Sequence, residues 1–466
     1  MAATSPASLA PTAPDRARTI IQRCAIATMD PARTELSSGH VVISGNRIET
    51  VGEGPAPEIA GARVVNGSGC LLTPGLVNTH HHLYQWVTRG IAVDATLFEW
   101  LTTLYPVWAG IDEYAVNVAA RGGLAWLART GCTLTSDHHY VFPRDGGDLL
   151  AAEIEAARSV GLRFHPARGS MDLGRSQGGL PPDHVVEDRD AALAATEAAI
   201  ARWHDPSPSS MLQIAVAPCS PFSVSGELMS EAVALARRLG VRLHTHLAET
   251  LDEENYCRER FGCSSLEYAE RLGWLGDDVW FAHGIHLDDR SVQRIGATGT
   301  GVAHCPTSNA RLGAGIARIR DLLDAGARVG LGVDGAASNE SASMLEEARH
   351  AVLFARARGG PKALSVREAL ELATIGGARV LGREDDLGSI EPGKLADLAL
   401  WRLDTIAHAD ITDPVAALIL GSPPPLELLL VDGRVVVEQD RVVTVDESVI
   451  AHEAATVHQS LVRKAG

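Results

Sequence analysis

Eight short apolar runs alternate with Ala-rich helical stretches through the middle of this chain, and few folds accommodate that alternation. The runs cover residues 71–79, 133–137, 162–165, 212–217, 241–246, 279–283, 301–304 and 328–334, and amphipathic helices are read at 115–129, 191–204 and 227–239. Runs of this length, bounded by helical periodicity, read as buried parallel strands. Eight such units are the number that closes a (β/α)8 barrel. A doubly wound open sheet is the alternative, but no G-x-G-x-x-G opens a helix here.

Both ends of the chain carry a different pattern. Strand-like segments at 19–25, 40–44, 47–51 and 63–65 are answered by 396–401, 428–431 and 434–438, with a hairpin signal at Val431-Asp432-Gly433-Arg434. The expected organisation is a mobile tail over 1–18 and a β-sandwich domain built from 19–73 and 388–445. The barrel takes 74–387, and a tail or helix takes 446–466. The Ala-, Ser-, Thr- and Pro-rich start lacks the continuous apolar core of a signal peptide, and no run approaches 18 apolar residues, so no membrane span is expected.

The net charge of −17, from 41 Lys and Arg against 58 Asp and Glu, argues against a nucleic-acid partner and against anionic membrane surfaces. Seven scattered cysteines without a C-x-x-C pair read as reduced thiols of a cytoplasmic protein.

In a barrel of this kind chemistry gathers where strands end, and the polar residues fall there. Strand one finishes in His80-His81-His82, strand five in His244-Thr245-His246, strand six in His283, strand seven in His304 and strand eight in Asp334. Alternate side chains of a strand share a face, so His80 and His82 project together about 6–7 Å apart while His81 faces away. Two imidazoles converging in this way can chelate a metal, although the triplet alone also fits a solvated polar loop. Glu249 lies just beyond His246. His244 shares a face with His246 but lies deeper, which favours a hydrogen bond inside the barrel over ligation. His138 and His139 are neighbours on one strand, so at most one faces the interior, in a supporting role. Asp334 alone could equally be a turn former or helix cap.

Four segments together resemble the amidohydrolase superfamily, in particular its cytosine, guanine and chlorotriazine hydrolase branch. They are Pro74-Gly75-Leu76-Val77-Asn78-Thr79-His80-His81-His82, His246-Leu247-Ala248-Glu249, Ala282-His283-Gly284 and Gly332-Val333-Asp334-Gly335. The stretch Leu387 to Asp397 is similar to that family's return into its small β domain. Further segments, among them Ser136-Asp137-His138-His139-Tyr140 and Ala217-Pro218-Cys219-Ser220-Pro221-Phe222, resemble the bacterial 8-oxoguanine deaminases; similar sequences also carry the name hydroxydechloroatrazine ethylaminohydrolase. Leu83, Trp86 and Ala336 depart from the pattern and leave the fine substrate preference open.

The resemblance implies one Zn²⁺ per subunit, held by His80, His82, His246 and Asp334, with Fe²⁺ tolerated by the same nitrogen and oxygen donors. Strand four offers no bridging lysine or glutamate for a second metal. It further implies hydrolytic deamination of a small heterocycle. Asp334 takes the proton of an activated water, His283 orients that water, and Glu249 protonates a ring nitrogen. By their position near strand ends, Gln85, Trp108, Tyr140, Arg168 and Cys219, with Tyr105, are the expected substrate-binding residues, while Trp108 and Tyr105 fit core packing equally well and Cys219 fits a buried, inert thiol better. Typical guanine deaminases carry an arginine near the position of Cys219. The expected reaction is therefore 8-oxoguanine to urate plus ammonia, with guanine, isoxanthopterin-like pterins or hydroxylated triazines as alternatives. A homo-oligomer, dimer or higher, is expected.

Overall fold

All but the ends of these runs are sealed from water, and in the computed structural model, which describes residues 18–465, they close into a parallel barrel. Its strands are β1 (Leu76–Asn78), β2 (Cys132–His139), β3 (Arg163–Ser170), β4 (Ala215–Pro218), β5 (Leu243–Leu247), β6 (Val279–His283), β7 (Gly301–His304) and β8 (Arg328–Leu331). Closure is made by Leu331 of β8 pairing with Asn78 of β1. Every residue of β2 and β3 is buried, as expected of strands covered on both faces. The intervening helices start and stop on local chemistry. Asp112, Asp188, Ser225 and Thr250 accept hydrogen bonds from first-turn amides, while left-handed Gly161, Gly240 and Gly262 end helices.

The run read as one strand over 71–79 is in fact two. Cys70–Pro74 belongs to the terminal sheet and Leu76–Asn78 to the barrel, with the break at Gly75. The Gly75 amide donates to the Asp397 carbonyl at 2.8 Å, and a Cβ at this position would lie 2.2 Å from the Thr133 side chain. Only glycine permits that approach.

Strands from the two ends of the chain hydrogen-bond into a nine-stranded mixed sheet with its own apolar core, including Ile21, Ile26, Val41, Leu72, Leu398 and Leu430. Its far ends come together, since Asn46 donates to Asp432 at 3.0 Å between two hairpin turns. The buried Arg163 of β3 joins this sheet to the bottom of the barrel through Asp397 at 2.9 Å and Asp432 at 2.6 Å. The expected tail over 1–18 lies, Arg18 apart, outside the described residues; Glu447–Ala465 forms a helix against Glu113–Arg129, tied by Arg121 to Glu453 at 2.7 Å. No helix among the described residues is long and apolar enough to cross a membrane.

Candidate active site

Beyond the barrel mouth the chain continues from β1 into a two-residue ladder, His81–His82, which pairs with Asp334–Gly335. This ladder brings strand ends one and eight side by side. His80 and His82 both turn Nε2 toward Asp334 Oδ1, at 3.4 and 3.3 Å, and His82 Nε2 lies 3.1 Å from His246 Nε2. His81 points away, its Nδ1 accepting from the His82 amide and its ring close to helix residue Gly123.

The outer nitrogens decide the tautomers. His82 Nδ1–H donates to the His138 carbonyl at 2.6 Å and His246 Nδ1–H to the Cys219 carbonyl at 2.7 Å. His244 donates through Nδ1 to the Trp280 carbonyl at 3.0 Å, so its Nε2 is an acceptor and takes the proton of His80 Nδ1 at 2.8 Å. Each of the three rings therefore presents a bare Nε2 lone pair to the same point. Lone pairs 3.1 Å apart repel, and the buried Nε2 of His80 has no hydrogen-bond partner. Three inward lone pairs and one carboxylate oxygen suit a single cation with mixed nitrogen and oxygen donors. His244 serves as the deeper hydrogen-bond relay. His138 faces the interior and donates to the Ala217 carbonyl, whereas His139 faces outward to Glu153. His304, buried at the end of β7, is not part of this cluster.

Burial holds His80 well below, and His246 down to about 3 from, the ordinary imidazole range, with the neighbouring rings adding to the effect. Burial and the charge of Asp334 push Glu249 well above its ordinary value. Within this site burial thus favours the protonated form of the Glu249 carboxyl.

The sequence reading missed what pins Asp334. Its Oδ2 accepts from Ser308 Oγ at 2.5 Å and Ser338 Oγ at 3.3 Å. The signal was present in the polar Thr307-Ser308-Asn309 step directly after β7, on the helix Pro306–Arg311, whose Asn309 also bonds His283 at 2.9 Å. The ends of β5, β6 and β8 turn through left-handed backbone at Ala248, His283 and Asp334, with φ of 54°, 73° and 60°. Such non-glycine conformations are costly and collect at functional sites.

A narrow cavity opens over the cluster, lined by His82, Gln85, Trp100, Tyr105, Tyr140, Cys219, Phe222, His246, Glu249, His283 and Asp334 among others. The buried Oε1 of Gln85 is without a partner. Two expected substrate residues are elsewhere. Trp108 is sealed in the core with its indole N–H on Thr88 Oγ1 at 3.1 Å, because it sits on the inward face of the helix Leu97–Trp108. Arg168 is held by Glu187 at 2.6 Å and lies over the Phe142 ring, so its charge is spent outside the cavity.

The amidohydrolase family pattern matches residues 71–436. The chain is 45% identical to the 8-oxoguanine deaminase of Pseudomonas aeruginosa PAO1 over 86% of its own length and 89% of that protein's. It is 38% identical to isoxanthopterin deaminase from an unknown prokaryotic organism, over 93% and 94%. The crystal structure of atrazine chlorohydrolase from Arthrobacter aurescens TC1 complexed with zinc superposes with a TM-score of 0.90 at 34% identity, covering 94% of this chain and 100% of that one. With the barrel and its histidine-lined mouth, these likenesses establish that the chain belongs to the amidohydrolase family and is a metal-dependent hydrolytic deaminase or aminohydrolase.

Proposed function

We propose that this enzyme uses one zinc ion, held by His80, His82, His246 and Asp334, to deaminate 8-oxoguanine to urate and ammonia. The observation that carries the reading is the meeting of three bare Nε2 lone pairs and Asp334 Oδ1 beneath a cavity whose other wall holds Glu249. When bound, zinc supplies a water of lowered pKa and polarises the reacting centre.

The remaining work belongs to side chains. Asp334, ionised and fixed by Ser308, accepts the proton of the attacking water. His283, whose Nε2 lies 3.7 Å from Glu249 Oε2, holds that water over the substrate and stabilises charge as it develops. Burial favours the protonated form of Glu249, which delivers its proton to the ring nitrogen beside the amino-bearing carbon. That carbon becomes electrophilic enough for addition; a C–O bond forms, the amino group takes the proton that Asp334 received from the water, the exocyclic C–N bond breaks and ammonia leaves, and the adduct's remaining hydroxyl proton restores Glu249 as the carbonyl forms.

For the substrate, the cavity presents no lysine or arginine side chain among the described residues, which fits an uncharged heterocycle. Gln85 Oε1 is a waiting acceptor for a ring N–H, and Tyr105 and Tyr140 provide aromatic walls. The 45% identity to an 8-oxoguanine deaminase favours that purine, and the 38% identity to an isoxanthopterin deaminase makes the pterin the second reading. All seven cysteines are free and buried, consistent with a cytoplasmic enzyme.

The test is ammonia release by zinc-loaded protein on 8-oxoguanine, guanine, isoxanthopterin, cytosine and a hydroxylated aminotriazine. The highest kcat/KM is expected for 8-oxoguanine. A higher value for any other member overturns the substrate assignment, and no ammonia from the whole panel overturns the function.

A further inference from the structure

The segment that carries Glu249 is held in a way that ordinary strand-to-helix chemistry does not require. β5 ends at Leu247, Thr250 caps the helix Leu251–Phe261, and only Ala248 and Glu249 lie between them. Thr250 already satisfies the Glu253 amide at 3.2 Å. In a capping box the glutamate three residues on would answer the cap's own backbone amide. Glu253 instead reaches past Thr250, accepting from the Ala248 amide with Oε1 at 2.8 Å and from the Glu249 amide with Oε2 at 3.0 Å.

The same peptide is tied on its other side. The Ala248 carbonyl accepts from the amides of Ile285 and His286 at 2.8 and 3.0 Å, and the Leu247 carbonyl accepts from Gly284 at 3.1 Å. These donors follow His283 directly. The two amides and the fully buried Glu253 carboxylate thus grip a residue at φ 54° that bears a Cβ. Such a conformation persists only where the surroundings over-determine it. Released from the grip, Ala248 would relax toward ordinary backbone, and the Cα–Cβ direction of the next residue, Glu249, would swing away from His283.

We propose that Glu253 is a positioning residue, whose bidentate grip on the Ala248 and Glu249 amides aims the Glu249 carboxyl at the reacting atoms. The inference rests on the reading of Glu249 as proton donor and extends it to a residue that touches neither substrate nor metal. Glu253→Gln is the direct probe, because its amide nitrogen cannot accept and would confront one of the two N–H groups. Glu253→Asp shortens the reach by one methylene while keeping the charge.

The experiment is a double-mutant cycle read by steady-state ammonia release from 8-oxoguanine. Wild type, Glu253→Gln, Glu249→Gln and the double variant are compared, each zinc-loaded and matched for zinc content and circular dichroism. Misplacing a reacting group by about an ångström costs on the order of 100-fold. Glu253→Gln is therefore expected to lower kcat roughly 10- to 100-fold with KM within about threefold. The double variant should be no slower than Glu249→Gln alone, to within about threefold, because the grip acts only through Glu249. Turnover of Glu253→Gln within twofold of wild type overturns the proposal, as does a double variant slowed by the product of the two single losses. Near-wild-type turnover of Glu249→Gln overturns the proton-donor reading itself, and the grip's purpose with it. If Glu253→Gln does not fold, Glu253→Asp takes its place in the cycle, with a smaller loss in kcat and the same non-additivity expected.

Discussion

His244 touches no proposed ligand position except through one hydrogen bond, which makes it a clean test of the tautomer relay. In His244→Phe the ring keeps its stack on Trp280, where the centroids are 4.4 Å apart and the planes 15° from parallel. What disappears, besides the Nδ1–H bond to the Trp280 carbonyl, is the acceptor for His80 Nδ1–H. That donor is fully buried, and its present bond is 2.8 Å long. A buried donor without a partner costs about 1–3 kcal/mol. His80 can avoid the cost only by turning its ring or shifting its proton to Nε2, and either change removes the lone pair offered to the metal. At about 1.4 kcal/mol per tenfold, zinc binding should weaken roughly 10- to 100-fold. The assay is competition for zinc against a chromophoric chelator, with circular dichroism as the check on folding. A zinc dissociation constant within twofold of wild type, in a folded variant, would refute the relay.

Three further outcomes follow from the same geometry. His81→Ala should retain zinc while His80→Ala and His82→Ala lose it, as metal analysis of the purified variants will show, since only His81 turns its ring away. Glu249→Gln and Asp334→Asn, each with full zinc content, should lower kcat by about 10²–10⁴-fold, and a kcat near wild type in either would remove that residue from its role. Burial raises the Glu347 carboxyl from 4.5 to about 8, against the pull of its bonds to Thr307 and Asn339. The native state therefore keeps a proton that the unfolded chain gives up. The associated stability is complete below about pH 4.5 and is lost as pH rises through about 8, with a slope of up to about 1.4 kcal/mol per pH unit in that window. Urea midpoints at pH 5 and pH 8 should converge in Glu347→Gln relative to wild type; an unchanged pH difference would contradict this.

Much of the architecture was legible because it is written locally. Strand length, helix periodicity and the placement of histidines at run ends are properties of a few neighbouring residues, and they pointed to the barrel and to polar side chains gathered at its mouth, from which the family resemblance singled out His80, His82, His246 and Asp334. The break at Gly75 escaped, because the reason for it is the approach of Thr133, fifty-eight positions on. Trp108 and Arg168 were misplaced for a related reason. Whether an aromatic ring on a long helix faces a cavity depends on how that helix is rolled, and whether an arginine is available depends on a partner such as Glu187. Ser308, Glu253 and the His244 relay act through bonds whose partners are invisible to periodicity. Only closure of the barrel brings Ser308 within reach of Asp334, or His244 within reach of His80.

The central claim is that one zinc per chain, gripped at the ends of three strands, makes this protein a deaminase. Its most direct test is a titration of ammonia release from 8-oxoguanine against zinc added back to chelator-stripped enzyme. Activity should be absent at the start, rise linearly and reach its plateau at one equivalent per chain. Turnover that survives stripping, or a plateau at two equivalents, would contradict the account.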